Sequence, residues 1–325
     1  MKAIVCEEFG PPNTLKLKDI SALHPQKNEV LVEVKASGVN FPDTLIIQGL
    51  YQFKPNLPFT PGSDIAGYVK EVGAEVRHLK KGDEVFGFVV HGGFAEEVVV
   101  PANACFKKPP QMDFPIAASF MMAYGTSYFA LKNRGNLKEG ETLLVLGASG
   151  GVGLAAVELG NLMGAKVIAA ASSPEKLALC KEYGATHLVD YSKENLKEQV
   201  KALTEGKGVD VIYDPVGGAY TEAALRAMTW DGRYLIVGFA AGNIPKIPLN
   251  LPLLKGCSLV GVFWGSFAMK KPKENMKNTM QLMQWYGEGK LKPHIHKIYP
   301  LEDTALALEE MMERKVKGKA VIGID

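Results

Sequence analysis

Cysteine is scarce in this chain of 325 residues: Cys6, Cys105, Cys180 and Cys257 stand more than seventy positions apart. That spacing excludes a disulfide framework and leaves no Cys-x-x-Cys pair to grip a metal, so the four read as buried thiols in a reducing compartment. Long apolar runs are also missing. No window approaches the roughly 18 uninterrupted apolar residues of a membrane span, and the opening stretch MKAIVCEEFG is broken by Glu7 and Glu8 before it can form the core of a secretory signal. Nor is there an excess of one charge. With 37 basic and 35 acidic residues the formal balance is +2, which gives no electrostatic reason to expect nucleic acid or a membrane as partner. The densest basic run, Lys270-Lys271-Pro272-Lys273, reads as a solvated loop. The cytoplasm is the expected location.

What is present is two textures. The first hundred or so residues read as short strands between turns: EVLVEVKASG alternates at Val30, Val32 and Val34, and IAGYVKEVG, EVFGFVV and FAEEVVV follow between glycine-bearing breaks. One helical interruption, FPDTLIIQG, comes after Asn40. Later, strands alternate with helices. TLLVLGA is an apolar run of strand length, and the helix after it places Val152, Ala155, Ala156, Leu159 and Met163 on one face. KVIAAAS follows as a second buried strand, and Ser172-x-x-Glu175 with Pro174 inside it matches a capping box. THLVDY, the helix KENLKEQVKALTEG, VDVIYDPVG, YTEAALRAMTW and GRYLIVGF continue the rhythm, with CSLVGVFWG as the last strand. Such alternation implies right-handed crossovers and a doubly wound parallel sheet covered on both faces. The tail has two helices, near Glu274 to Tyr286 and Asp303 to Arg314, and the strand-like KAVIGI. That is too little for a domain of its own, so it is expected to return to the β-rich part. The expected organisation is 1–122 with 268–325 as one domain and 123–267 as the other.

The stretch VLGASGGVG, Val145 to Gly153, supports two chemistries. Gly147-Ala148-Ser149-Gly150-Gly151 fits the strained turn that presents a nucleophilic serine in hydrolases, and Asp214 followed by His294 or His296 completes a triad in the required order. Gly147-x-x-Gly150-x-x-Gly153 fits the turn that lays a dinucleotide pyrophosphate on a helix N-terminus. Glycine usage favours the second reading, because a nucleophile elbow has no need of the third glycine and a pyrophosphate turn does. NAD-binding turns carry an acidic residue about 20 positions on, where it accepts hydrogen bonds from the ribose. Here the second strand ends Ala170-Ala171-Ser172-Ser173, so nothing repels a 2′-phosphate, and Lys176 and Tyr191 offer a cation and a hydroxyl. NADPH is the favoured cofactor. The plainer reading of the pair is an exposed helix lysine and a packing aromatic.

The stretches ASGVNFPDTLIIQGLY, PGSDIAGYVKEVG, GDEVFG, GASGGVG, SSPEKLALCKEYGA and YDPVGG, in that order from end to end, resemble the zeta-crystallin-like quinone oxidoreductases of the medium-chain dehydrogenase/reductase superfamily. The resemblance implies an α/β protein with a GroES-like catalytic domain and a Rossmann nucleotide-binding domain. It is related to zinc alcohol dehydrogenases, which carry a cysteine where this chain has Asn40 and a histidine where it has Ser63; neither present residue is a soft or imidazole ligand, so no metal is expected. Without a Lewis acid to stabilise an alkoxide, the resemblance points to reduction of a quinone or an α,β-unsaturated carbonyl, with hydride delivered in the cleft between the domains. It implies that Asn40 and Tyr51 lie beside the nicotinamide and Thr126 near its carboxamide. Ser149, Gly150, Gly151 and Val152 would hold the pyrophosphate, Lys176 and Tyr191 the 2′-phosphate, and Phe239, Phe263, Trp264 and Gly265, at the ends of the last two strands, would border the nicotinamide half.

Each has a plainer alternative. Asn40 suits a strand-to-helix turn, Thr126 can bond its own backbone, Asp43 can cap the short helix, and quinone reduction needs no committed acid at Tyr51. An enoyl-thioester or enone reductase on the same scaffold is the nearest rival. A Ser149 hydrolase and a non-enzymatic binding protein are the distant ones. The family is usually oligomeric, and KGCSLVGVFWG could pair edge to edge across a two-fold axis as a homodimer.

Overall fold

A computed structural model describes residues 1–193 and 195–325 of the chain; Glu194, within the expected helix KENLKEQVKALTEG, lies outside the described residues. The chain divides into two compact units, Met1–Met122 with Pro293–Asp325, and Ala123–Lys292. The expected return at 268 falls instead at 293 in this division, because the helices Trp264–Lys270 and Pro272–Gly287 belong to the second unit. Among the described residues no helix is long and apolar enough to cross a membrane.

The first unit is organised by the strand Glu29–Gly38. One edge pairs antiparallel with Asp64–Val72; the other takes Glu97–Pro101 and then the C-terminal strand Lys319–Gly323. Paired on both edges, the strand is enclosed at both ends of its second face as well: Leu31 and Ser37 are as buried as Val30, Val32 and Val34, whose alternation is the part visible in the sequence, while Glu29, Glu33 and Lys35 stay partly exposed. The sheet continues through Glu84–Phe88 to Cys105–Lys107 on one side and through Ile295–Pro300, parallel to Lys319–Gly323, on the other. Val30, Val32, Val34, Ile65, Val69, Phe94, Val100, Leu308 and Ile322 form one apolar core beneath it. The pairing of Lys319–Gly323 has the largest effect on the polar end of this sheet. Val321 faces Gly38, and the Val39 N–H donates to the Ala320 carbonyl at 3.0 Å, so the same register brings Lys319 opposite Asn40.

The second unit is a six-stranded parallel sheet in the order His187–Asp190, Lys166–Ala171, Thr142–Leu146, Val209–Asp214, Met228–Ile236, Ser258–Gly261. Successive strands move outward from Thr142–Leu146 first to one side and then to the other, the doubly wound order of dinucleotide-binding sheets. Three sequence expectations are corrected here. The helix Gly151–Leu162 is not one-sided: residues 153 to 160 are all buried, because this helix is covered on the side away from the sheet as well, while Val152 is partly exposed. The N-cap of Pro174–Glu182 is Ser173, not Ser172; its Oγ accepts the Lys176 N–H at 3.3 Å, and Pro174 takes the first helical position, which its fixed φ suits. The last strand stops at Gly261, so Trp264 and Gly265 open the helix Trp264–Lys270 instead of ending a strand.

Two glycines of the turn before Gly151–Leu162 do different work. A Cβ on Gly153 would stand 2.2 Å from the Gly147 carbonyl oxygen, so the helix reaches its strand only with a hydrogen there. A Cβ on Gly150 would meet nothing nearer than that oxygen at 3.5 Å, an ordinary contact. Gly153→Ala should therefore cost about 1–3 kcal/mol through overpacking, and Gly150→Ala should stay within about 1 kcal/mol of the parent. Urea unfolding of both variants measures the contrast; equal stabilities would contradict it.

Candidate functional site

In the second unit the strand Thr142–Leu146 ends in a turn that places Ser149 to Val152 at the start of a buried helix. Gly147 turns the chain with φ +57°, and the Gly150 N–H closes the turn onto the Gly147 carbonyl at 3.1 Å. The backbone N–H groups that open the helix are the donors an anionic diphosphate requires. Packing within the protein explains Gly153 and leaves Gly150 unexplained: a side chain would fit there, so the open space above it suits close approach by a bound group. The residues present fit a dinucleotide. The turn is braced from behind by Ser127, whose hydroxyl donates to the Val152 carbonyl at 2.8 Å and pairs with the Tyr213 hydroxyl at 2.9 Å. Thr126, beside it, is nearly buried at the start of the short helix Thr126–Tyr128.

The neighbouring strand Lys166–Ala171 delivers the adenosine-side candidates. Ser172 follows it, and Lys176 Nζ donates to the Ser172 hydroxyl at 3.4 Å. Tyr191 follows the third strand, its ring tilted against Tyr220 with centroids 4.3 Å apart and its N–H on the Ala171 carbonyl at 3.2 Å. Ser172, Lys176 and Tyr191 thus gather at the ends of adjacent strands. Sequence reasoning missed two members of this group. The Ser192 hydroxyl donates to Asp190 Oδ1 at 2.6 Å and lies 3.4 Å from the Ser172 carbonyl. Hydrogen bonds from Ser192 hold the Asp190 carboxyl below its ordinary range and occupy an acid that would otherwise face the same end of the sheet.

The remaining aromatic candidates separate. Phe263 is half exposed at the entrance of Trp264–Lys270, and a Cβ on Gly265 would meet the Phe263 ring at an ordinary 3.9 Å. Trp264 is buried: its indole packs on Gly125 and donates to Asn275 Oδ1 at 3.0 Å. Its ring is a packing element of the unit, which a strand-end position would not have made it. Phe239 covers Gly217, where a Cβ would stand 2.8 Å from its ring.

The triad reading of Ser149 fails on Asp214. Asp214 Oδ1 accepts the Val216 and Gly217 N–H groups at 2.8 Å each, and Oδ2 accepts the Thr221 hydroxyl at 3.2 Å and the Tyr234 hydroxyl at 2.5 Å. A carboxylate with both oxygens committed to its own unit cannot orient a histidine. Ser149 itself is 5% exposed, unlike a nucleophile presented at a turn apex.

In the first unit, Asn40, Ser63, Asp64, Asp43 and Lys319 form a buried polar cluster at the end of Glu29–Gly38. Asn40 precedes the helix Phe41–Ile46, and its N–H donates to Asp43 Oδ2 at 2.8 Å, so Asp43 caps the helix as its position suggested. The Asn40 side-chain NH2 faces the Gly38 carbonyl (3.2 Å), Asp64 Oδ2 (3.1 Å) and Ser63 Oγ (3.4 Å), and its Oδ1 accepts from Lys319 Nζ. Asp64 and Lys319 carried no signal in the sequence. Tyr51 packs at the margin of the apolar core; burial, with the Asp43 charge adding to it, raises its phenol above the ordinary value, so it stays protonated.

Burial pushes the Asp43 carboxyl up to about 7. Between an ordinary value of about 4 and that point, Asp43 is protonated when folded and ionised when unfolded. Unfolding in that window releases a proton, so the stability held by the protonated form is present at low pH and is lost as pH rises through 7. Over pH 4 to 8 the parent should lose up to about 4 kcal/mol more than Asp43→Asn. Urea titrations at several pH values give the two slopes, and parallel slopes would remove the assignment.

Comparison with known proteins agrees with both units. Residues 26–110 match the alcohol dehydrogenase GroES-like domain family, and residues 151–285 match the family described as zinc-binding dehydrogenase. The chain is 42% identical to the quinone oxidoreductase-like protein 2 homolog of Nematostella vectensis, over 99% of this chain and 88% of that protein. The Escherichia coli quinone oxidoreductase, solved in complex with NADPH, superposes with a TM-score of 0.94 at 29% identity, covering 99% of this chain and 100% of that one. The CurK enoyl reductase gives 0.91 at 28%, covering 100% and 99%. With a GroES-like unit built from both ends of the chain and a Rossmann unit between its segments, the chain belongs to the quinone oxidoreductase family of the medium-chain dehydrogenase/reductase superfamily.

Proposed function

We propose that this oxidoreductase is an NADPH-dependent, zinc-independent reductase of quinones and related conjugated carbonyls, working in the cytoplasm. The observation that carries the cofactor assignment is the end of Lys166–Ala171. Ser172 and Ser173, not a carboxylate, stand directly at its end, and the Lys176 ammonium reaches the Ser172 hydroxyl where a 2′-phosphate needs a cation and a donor. The E. coli relative that superposes on the chain was solved with NADPH. Zinc independence rests on donor chemistry. Asn40 and Ser63 are weak ligands, and the Lys319 ammonium already bonds the Asn40 oxygen that a metal would have to claim.

When bound, NADPH supplies a hydride equivalent from carbon 4 of its nicotinamide. The backbone N–H groups of Gly150, Gly151 and Val152, with Ser149, hold the diphosphate, and Lys176 and Tyr191 hold the 2′-phosphate. Thr126 bonds the carboxamide, while Phe239, Phe263 and Gly265 border the nicotinamide half with apolar surface that excludes water; Trp264 packs inward on Gly125 at the start of the same helix. Tyr51, protonated, donates to the acceptor oxygen as negative charge develops there. Asn40 keeps the turn before Tyr51 in place. Conjugation in a quinone or enone spreads that charge without a Lewis acid, which is why such acceptors suit the residues present. The enoyl-thioester alternative draws on the likeness to the CurK enoyl reductase.

Fluorescence titration with NADPH and NADH, followed by turnover on a quinone, a simple enone and an enoyl thioester, tests this reading. Loss of a charged hydrogen bond in Lys176→Ala should weaken NADPH about 10- to 100-fold and leave NADH unchanged, while Gly150→Ala should weaken both. An unaltered NADPH/NADH ratio in Lys176→Ala rejects the cofactor assignment; turnover on the thioester alone rejects the quinone; binding without turnover on any acceptor returns the non-enzymatic reading.

A homodimer belongs to the same proposal. Ser258–Gly261 is an open edge of the parallel sheet, and Ile244, Leu249, Leu253 and Leu254 expose apolar surface on the same unit. Light scattering at micromolar concentration should give twice the 35.2 kDa chain mass; a single-chain particle removes the dimer.

A further inference from the structure

Two carboxylates and one ammonium share the buried end of the first unit's sheet. The ammonium comes from the far end of the chain, 279 positions from the residue it holds. Lys319 Nζ donates to Asn40 Oδ1 and to the Val39 carbonyl at 3.1 Å, and stands 3.5 Å from Asp64 Oδ2. Asp64 is held in turn by the Met122 N–H on Oδ1 at 3.2 Å and by the Asn40 NH2 on Oδ2 at 3.1 Å. Lys319 is 5% exposed and Asp64 1%.

Enclosing an ammonium this deeply is costly, and an apolar side chain would fill the same strand position without that cost. What an apolar side chain cannot do is bind the Asn40 oxygen. An amide has two faces that differ only in which of O and N they present, and it stays in one orientation only when its neighbours demand that orientation. Three acceptors surround the Asn40 NH2, and Lys319 supplies a donor to the oxygen. Burial lowers Lys319 and raises Asp64 and Asp43, and the attraction between ammonium and carboxylates opposes all three shifts.

We propose that Lys319 is a positioning residue of the candidate site: its ammonium locks the Asn40 side chain in one orientation and so fixes the turn that leads through Phe41–Ile46 to Tyr51. The inference rests on the proposed roles of Asn40 and Tyr51. It extends them to a residue that touches neither cofactor nor acceptor.

The test is made on an Asp64→Asn background, where removing the ammonium leaves only the Asp43 carboxyl without it, and equally so in both variants. There Lys319→Gln keeps an amide donor beside Asn40, and Lys319→Met keeps only bulk. With NADPH affinity unchanged in both, kcat should fall about tenfold in the Met variant and stay within about threefold of the background in the Gln variant. Equal kcat in the two folded variants overturns the proposal. A second readout needs no acceptor. The Asn40 side-chain NH2 resonance, assigned by its loss in Asn40→Asp, should exchange with solvent about tenfold faster in single-site Lys319→Met than in the parent; equal exchange also overturns it. If the parent reduces no quinone, enone or thioester, the proposed function fails by itself and the exchange experiment decides the role of Lys319.

Discussion

The pairing of Val321, Ile322 and Gly323 with Gly38, Ser37 and Ala36 is the contact on which the first unit depends. It closes a sheet from two segments that the whole second unit separates in the chain. The entropic cost of joining ends across so long an insertion grows only slowly with length, and an insertion that folds on its own core reduces it further. Once the strands pair, one register determines everything at their end. Val321 opposite Gly38 brings Lys319 to Asn40, and a slip by one residue would turn that ammonium to the other face.

That register explains how the first unit tolerates a cluster of charges inside a core. Asp43, Asp64 and Lys319 are each costly alone, and together they satisfy one another through Asn40, Ser63 and nearby backbone groups. No buried side-chain nitrogen or oxygen among the described residues lacks a partner. A satisfied network of this kind holds one geometry, since any displacement leaves a buried group unpaired. Rigidity here is therefore a consequence of polarity, not of apolar packing.

The second unit solves a different problem with glycine. Its first strand and first helix must meet closely behind a turn whose front stays open. Gly153 serves the meeting and Gly150 the opening, so two identical residues three positions apart have unrelated reasons to be glycine. Asp214 shows the converse, a residue whose type suggested a catalytic acid and whose hydrogen bonds make it a structural tie between Tyr234, Thr221 and the turn at Val216.

Local physics made much of this legible in the sequence. Strand alternation at Val30, Val32 and Val34, the glycine turn at Val145 to Gly153, and the strand-helix rhythm after it each depend on neighbours within a few residues, so the α/β class and the nucleotide turn could be read directly. Asn40, Tyr51 and Lys176 could be singled out as candidates because each sits in a short motif. Only the tertiary structure decided that Trp264 is packed inward, that Asp214 is spent on its own unit, and that the second unit keeps the helix Pro272–Gly287. It also decided the place of Lys319, an ordinary lysine in KGKAVIGI until antiparallel pairing sets it against a residue near the other end of the chain. Such information is absent from any local window, because a hydrogen bond across hundreds of residues is specified by the register of a sheet and not by the spacing of letters.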